Sequence, residues 1–175
     1  MIAQEQRLSL HLPGDLSAPL PSVLVFHSAM GRTESVLGWC DRLAERGFAA
    51  VALDFYDGKV ATSLEEARTL RDSANSRAPR LRELIEQAYR QMHDDPQIHS
   101  TKRFLLGWSY GAAWATTASG FLPDVSGVVA YYGEAFSDNP SSYQSLHAPF
   151  LFVGAARDSE PTPDRLRAVA SDLKG

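Results

Sequence analysis

The sequence predicts an α/β protein: a mostly parallel sheet with helices on both faces, three layers in one domain over residues 1–175. Three observations predict it. Short, continuous apolar runs recur along the chain, at Val23–His27, Phe48–Leu53, Arg103–Leu106, Val125–Tyr132 and Pro149–Gly154, with the texture of strands covered on both sides. Between them lie longer stretches whose apolar residues recur at helical intervals. Gly107-Trp108-Ser109-Tyr110-Gly111 then stands where one apolar run gives way to a small-residue, helix-compatible segment.

Taken in order, Arg7–Leu12 alternates polar and apolar, the mark of a strand with one wet face. Pro13-Gly14 ends it and opens a loop to Pro21. Val23–His27 is a buried strand, and Ser28–Arg32 is the loop at its carboxyl end. Thr33 is placed to cap a helix over 34–46, with Val36, Leu37, Cys40, Leu43 and Ala44 inward and Gly47 as its stop. That inward position predicts a buried, unreactive Cys40 thiol. The next strand, Phe48–Leu53, ends at Asp54. From Ala61 to Asp95 the pattern is helical: Ser63 and Glu66 have capping-box spacing, and Pro79 opens a second segment carrying Leu81, Leu84, Ile85, Ala88, Tyr89 and Met92. Two strands follow the serine motif, and Thr162-Pro163 begins a helix running to the last residues.

Composition narrows the classes. The chain has 175 residues, 44% hydrophobic and 22% charged, enough for a real core. Folding at this length buries roughly 70% of the unfolded surface. A net charge of −4 leaves no basic footprint for nucleic acid. One cysteine allows no internal disulfide framework. No apolar stretch approaches the ~18 residues of a membrane span, and Met1–Arg7 has no signal-peptide texture, so the expected location is the cytoplasm. Neither Gly-x-Gly-x-x-Gly nor a Gly-Lys-Ser/Thr loop is present to cradle phosphates, which sets aside a nucleotide-binding reading.

Gly-x-Ser-x-Gly alone arises by chance in roughly 6% of chains this long at average composition, so its flanks carry the argument. A strand, a tight turn, the serine and a helix make a nucleophile elbow, which holds the hydroxyl above the sheet over the helix N-terminus. A serine needs a base, an acid to orient that base, and donors for the oxyanion. Asp158, just past the Phe150–Gly154 strand, is the candidate acid, with Glu160 as its neighbouring alternative. The amides of Tyr110 and Ala29 are the candidate oxyanion donors. His27 reads as a structural residue of the loop. His93 and His99, with Asp94 and Asp95, read as helix-end polar residues rather than a metal cluster, so no metal or cofactor is expected.

Several stretches together resemble the dienelactone hydrolase family. They are Val23–His27 with Gly31, Leu43–Phe48, Leu53–Gly58, the elbow, Ala130–Gly133, and Gly154-x-x-x-Asp158-x-x-Pro161. The resemblance runs nearly the whole length of the chain. It implies an α/β-hydrolase fold, cofactor-free cleavage of an ester or lactone, Ser109 as nucleophile and Asp158 as acid. Three departures accompany it. Ser109 stands where well-known members carry cysteine, which points to a more general esterase. Ser28 stands where they carry the glutamate that partners the resting thiol. The family's catalytic histidine follows one further strand, whereas none of the five histidines here lies after Asp158. The expectation is therefore that the base, the last strand and the last helix are missing from this sequence.

Two functions follow from different classes. One is a hydrolase of a small carboxylic ester or lactone acting through a serine acyl-enzyme. The other is a catalytically inactive α/β-hydrolase-like module that binds a ligand or partner at the same rim. Translation beyond codon 175 separates them: a Gly-x-x-His segment after another apolar strand favours the enzyme, a stop codon the module. His27, Ser28, Tyr56, Trp108 and Tyr131, with Trp39 and Tyr110, are candidates to line the pocket, and Arg32 and Arg157 sit in rim loops. The expected partner is a small ester or lactone, with neither nucleic acid nor membrane. A missing last strand would leave an apolar edge at Phe150–Val153 through which a homodimer could form.

Overall fold

In the computed structural model, residues 7–16, 19–96, 98, 102–133, 146–157 and 162–172 are described. Six strands form one sheet in the order β1-β3-β2-β4-β5-β6. The strands are β1 (Leu8–His11), β2 (Ser22–Phe26), β3 (Ala49–Leu53), β4 (Arg103–Trp108), β5 (Val125–Tyr131) and β6 (Phe150–Val153). Five helices complete the described fold: α1 (Glu34–Glu45), α2 (Leu64–Asn75), α3 (Ala78–Asp94), α4 (Tyr110–Ser119) and α5 (Pro163–Asp172). Only β1 runs antiparallel; every other pairing is parallel, as the strand–helix alternation predicts.

Side chains leave alternate faces of each strand, so the sheet divides its core in two. On one face Leu24 and Phe26 of β2, Val51 and Leu53 of β3 and Leu105 of β4 pack against Leu81, Ile85, Tyr89 and Met92 of α3 and Ala115 and Ala118 of α4. Val169 of α5 joins Ala112 and Ala130 nearby. On the other face Val23, Val25, Ala50, Ala52, Leu106 and Trp108 meet Val36 and Cys40 of α1. The three-layer arrangement read from the sequence is thus observed. Among the described residues α1 is the only helix on its face, and beyond β4 that face carries exposed apolar side chains, Leu151 (56%) and Val153 (39%).

Local chemistry sets the helix ends, with two departures from expectation. Thr33 takes the extended conformation of an N-cap, but its side chain makes no capping bond; its carbonyl instead accepts from the amides of Val36 and Leu37. Ser63 does cap α2, accepting from the Glu66 amide at 3.1 Å. Glu66, however, turns back one residue further, onto the amide and hydroxyl of Thr62 at 2.8 and 2.9 Å. That bonding ties the residue before the cap to the first turn, in place of the reciprocal bond to the Ser63 amide that a capping box would make. At α5, Thr162 Oγ1 accepts from the Arg165 amide at 3.2 Å.

Cys40 is fully buried, and desolvation, with the charge of Asp41 adding to it, pushes its thiol up to about 12. A thiolate is the reactive form, so the folded protein holds this residue inert. A bulky thiol reagent should leave the native chain unlabelled over the time in which it fully labels the urea-unfolded chain. Equal labelling rates would show that α1 opens readily.

Candidate active site

The residues of interest collect at the carboxyl ends of β2, β3 and β4, the rim where open α/β sheets place their sites. Ser109 follows β4 directly and precedes the first residue of α4. Its backbone lies at φ 53° and ψ −115°, a region that L-residues rarely occupy. The conformation is held from three sides. The Ser109 amide donates to the Tyr131 carbonyl of β5 at 2.9 Å, and its carbonyl accepts from the Ala112 amide at 2.9 Å. At Gly111 a β-carbon would lie 2.2 Å from the Phe26 carbonyl oxygen, and at Gly107 the same distance from that of Gly111. At Gly133, φ 84°, it would lie 2.6 Å from Ser109 Cα. The motif's two glycines were legible as space for the turn. Gly133 was not; the only sequence sign of it was a glycine ending the β5 run.

The loop after β2 supplies the other wall. The Met30 amide donates to Ser28 Oγ at 3.2 Å and the Gly31 amide to the Ser28 carbonyl at 3.1 Å. The Ala29 amide precedes these two and takes part in neither bond. The Tyr110 amide belongs to the first turn of α4, where helix amides have no intrahelical acceptor. Ala61 donates to the Met30 carbonyl at 2.9 Å, tying the loop to the segment after β3. That segment is itself set by Asp54, 1% exposed, whose carboxylate accepts from the amides of Tyr56 (2.8 Å) and Gly58 and faces Arg32 at 3.7 Å. From the sequence Asp54 read only as the end of a strand.

His27 is fully buried beneath this loop. Its Nδ1 lies 2.6 Å from the Ser28 carbonyl, and its Nε2 is 3.1 Å from the Phe55 amide. A carbonyl only accepts and an amide only donates, so Nδ1 carries the hydrogen and Nε2 has its lone pair filled. The ring is neutral, its pKa lowered to about 4 by burial, against which the Ser28 carbonyl and Asp54 act weakly. With both nitrogens engaged, His27 has no means of taking a proton from Ser109.

The aromatic residues form two stacks. Tyr56, 2% exposed, lies edge-on to His27 at 4.7 Å and stacked on Tyr110 at 6.3 Å between centroids. Its hydroxyl is buried without a hydrogen-bond partner among the described residues, whereas that of Tyr110 donates to Asn75 of α2 at 2.8 Å. Trp108 stacks on Tyr131 at 6.0 Å and meets Trp39 at 5.8 Å, on the α1 face of the sheet. Arg157 is exposed; Asp158 and Glu160 lie outside the described residues. Among the described histidines only His27 is at the rim. His11 pairs with Ala50 at the amino end of β3, His93 lies near the end of α3, and His147 leads into the amino end of β6. His99 lies outside the described residues. No metal-binding cluster occurs among the described residues, and none of their helices is long and apolar enough to cross a membrane.

A parallel sheet flanked by helices, with a left-handed serine between a central strand and its helix, defines an α/β-hydrolase-like protein. The family model of the dienelactone hydrolase family matches residues 10–175, and the chain belongs to that family. Among curated relatives it is 26% identical over 159 residues to "Protein usf" of Aquifex pyrophilus. It is 25% identical over 159 residues to a protein of Aquifex aeolicus (strain VF5) provisionally named as a carboxymethylenebutenolidase. Each match covers 87% of this chain and 68% of the relative. The fold also matches a dienelactone hydrolase-like promiscuous phosphotriesterase from metagenomic libraries. That match has a TM-score of 0.81 and 18% identity, and covers 98% of this chain and 73% of the other.

Two predictions arise from this geometry. In Gly111→Ala the added methyl meets backbone, which has no rotamer to yield, so the variant should lose about 3 kcal/mol or more in urea unfolding. A loss under about 1 kcal/mol would mean that the elbow relaxes easily. For His27 the folded pKa lies below the unfolded one, so the unfolded chain binds more protons between them. Its contribution is therefore complete above about pH 6.5 and is lost as pH falls toward 4, on the order of 3 kcal/mol across the window. Urea titrations from pH 7 to 4.5 should show a shallower slope in His27→Gln than in the native chain; identical slopes would contradict the buried neutral ring.

Proposed function

We propose that this protein is a serine hydrolase of small carboxylic esters or lactones. The observation that carries the reading is the backbone of Ser109, held at φ 53° at the carboxyl end of a central strand and at the N-terminus of α4. Strain of that kind costs of order 1–3 kcal/mol and persists where its surroundings enforce it. In the proposed reaction Ser109 Oγ attacks the substrate carbonyl. The amides of Ala29 and Tyr110 receive the oxyanion, and the fixed position of both spares reorganisation as charge develops. Asp158 orients the base. The base takes the Ser109 proton and passes it to the leaving oxygen. Collapse of the tetrahedral species so leaves an acyl-Ser109 ester and an alcohol, free for an ester and tethered to the acyl group for a lactone. Water then repeats the sequence to release the acid. The ester or lactone class rests on family membership and on the name given to the Aquifex aeolicus relative.

The base is the open position. None of the four described histidines stands beside Ser109 with a free nitrogen, and this observation favours a second reading, a ligand-binding module without turnover. Added imidazole distinguishes the two, because it can enter from solvent and do what a positioned histidine does. With p-nitrophenyl acetate, the 175-residue chain should be slow. Imidazole should accelerate it more than it accelerates the Ser109→Ala variant, whose rate should match the imidazole background. Equal rates for the two chains at every imidazole concentration would overturn the nucleophile assignment.

We further propose that two copies associate through β6. This strand ends the sheet among the described residues, and its exposed side chains, Leu151 and Val153, lie on the face that α1 leaves bare. Sedimentation should show a monomer–dimer equilibrium that Leu151→Lys shifts to monomer. A monomer at every concentration would refute the association.

A further inference from the structure

Away from the elbow, the fold draws a second serine, a histidine and an aspartate into one hydrogen-bonded line. Ser9 and His11 stand two residues apart on β1, so their side chains leave the same face of the sheet, the face on which α1 lies. His11 Nε2 is 2.9 Å from Ser9 Oγ, and His11 Nδ1 is 2.6 Å from Asp41 Oδ1 of α1. The carboxylate can only accept, so Nδ1 carries the hydrogen. In the neutral ring Nε2 then holds a lone pair, and the Ser9 hydroxyl is the donor that fills it. A nucleophile is thus bonded to a base, and the base is oriented by an acid, each in its working role.

The contrast with His27 makes this informative. There Nε2 is closed by a backbone amide that stays in place; here it is closed by a hydroxyl whose proton it can take. The His11 side chain is 15% exposed and that of Asp41 65%, so the group is reachable from solvent. A cleft of about 310 Å³ opens on the histidine side of the line, bounded by His11 and Asp41 but not by Ser9, which is itself half-buried beside it. A main-chain donor is also at hand. The Asp54 amide donates to the Arg7 carbonyl, so residues 7, 9 and 11 bond toward β3 and the Leu10 amide points off the edge of the sheet. Leu10 follows Ser9 as Tyr110 follows Ser109. The two serines are far apart: β1 and β4 are separated by β3 and β2.

We propose that Ser9 is a second nucleophile, which takes an acyl group from small activated esters independently of Ser109. Ser9 Oγ attacks the ester carbonyl and its proton passes to His11 Nε2. The imidazolium, held by Asp41, returns that proton to the departing alkoxide or phenolate. The products are an acyl-Ser9 ester and the free alcohol, so atoms and charge balance without a further reagent.

The test uses the full chain carrying Ser109→Ala, treated with p-nitrophenyl acetate at neutral pH, digested, and localised by fragment-ion mass spectrometry. Acetyl should appear on Ser9. His11→Gln in the same background should acetylate about 10²-fold more slowly, the usual contribution of a positioned base. Asp41→Asn, on the exposed side of α1, should fall between, and Ser9→Ala should lose the modification. Far-UV circular dichroism of each variant verifies that it is folded before rates are compared. Absence of acetyl from Ser9, or equal rates in folded His11→Gln and its parent, would overturn the proposal.

Discussion

Everything at the rim depends on one close packing, the seating of Ser109 between three residues that have no side chain. Left-handed backbone at a serine is unfavourable by itself, and here it is enforced by contacts between main chains. Gly107 and Gly111 let the turn close on itself and on the Phe26 carbonyl, while Gly133 lets the end of β5 lie against Ser109 Cα. Backbone cannot shift rotamers, so these contacts transmit the sheet's rigidity directly to the serine. The same packing fixes the first turn of α4 relative to the loop after β2. That relation sets the spacing between the Tyr110 and Ala29 amides.

A second tier of interactions holds the loop. His27 bridges the end of β2 and the segment after β3 by accepting from Phe55 and donating to Ser28. Asp54 gathers the Tyr56 and Gly58 amides beneath it, and the Tyr56 ring lies between His27 and Tyr110. Burial keeps the imidazole neutral and raises the Tyr56 hydroxyl well above its ordinary pKa, while the buried Asp54 carboxylate faces the Arg32 guanidinium. A fixed, low-dielectric surround of this kind would strengthen the hold of the two amides on an oxyanion in the proposed reaction.

Much of this was legible in the sequence because it is written in periodicity. Continuous apolar runs gave the parallel strands, and the inward stripe of Val36, Cys40 and Ala44 placed α1 and buried the thiol. The elbow was legible because glycine spacing has a steric meaning. What was not legible depends on partners distant in sequence. The Phe55 amide that closes His27 is 28 residues away, and Asp41 is 30 from His11. Ser9 and His11 read as the wet face of a strand, and nothing local marks that face as lying against a carboxylate. Thr33 shows the complementary limit: a residue type suited to capping occupied the cap, and the helix amides were satisfied by its carbonyl instead.

The direct measurement of this arrangement is a crystal structure of the 175-residue chain after reaction with a small fluorophosphonate in the presence of imidazole. A phosphonyl group on a serine mimics the tetrahedral intermediate, and its oxygen reports where the oxyanion would lie. The expected result is a bond from Ser109 Oγ to phosphorus, with the phosphonyl oxygen about 2.7–3.1 Å from the amide nitrogens of both Ala29 and Tyr110. An adduct whose oxygen faces solvent, or a Ser109 left unmodified, would contradict it.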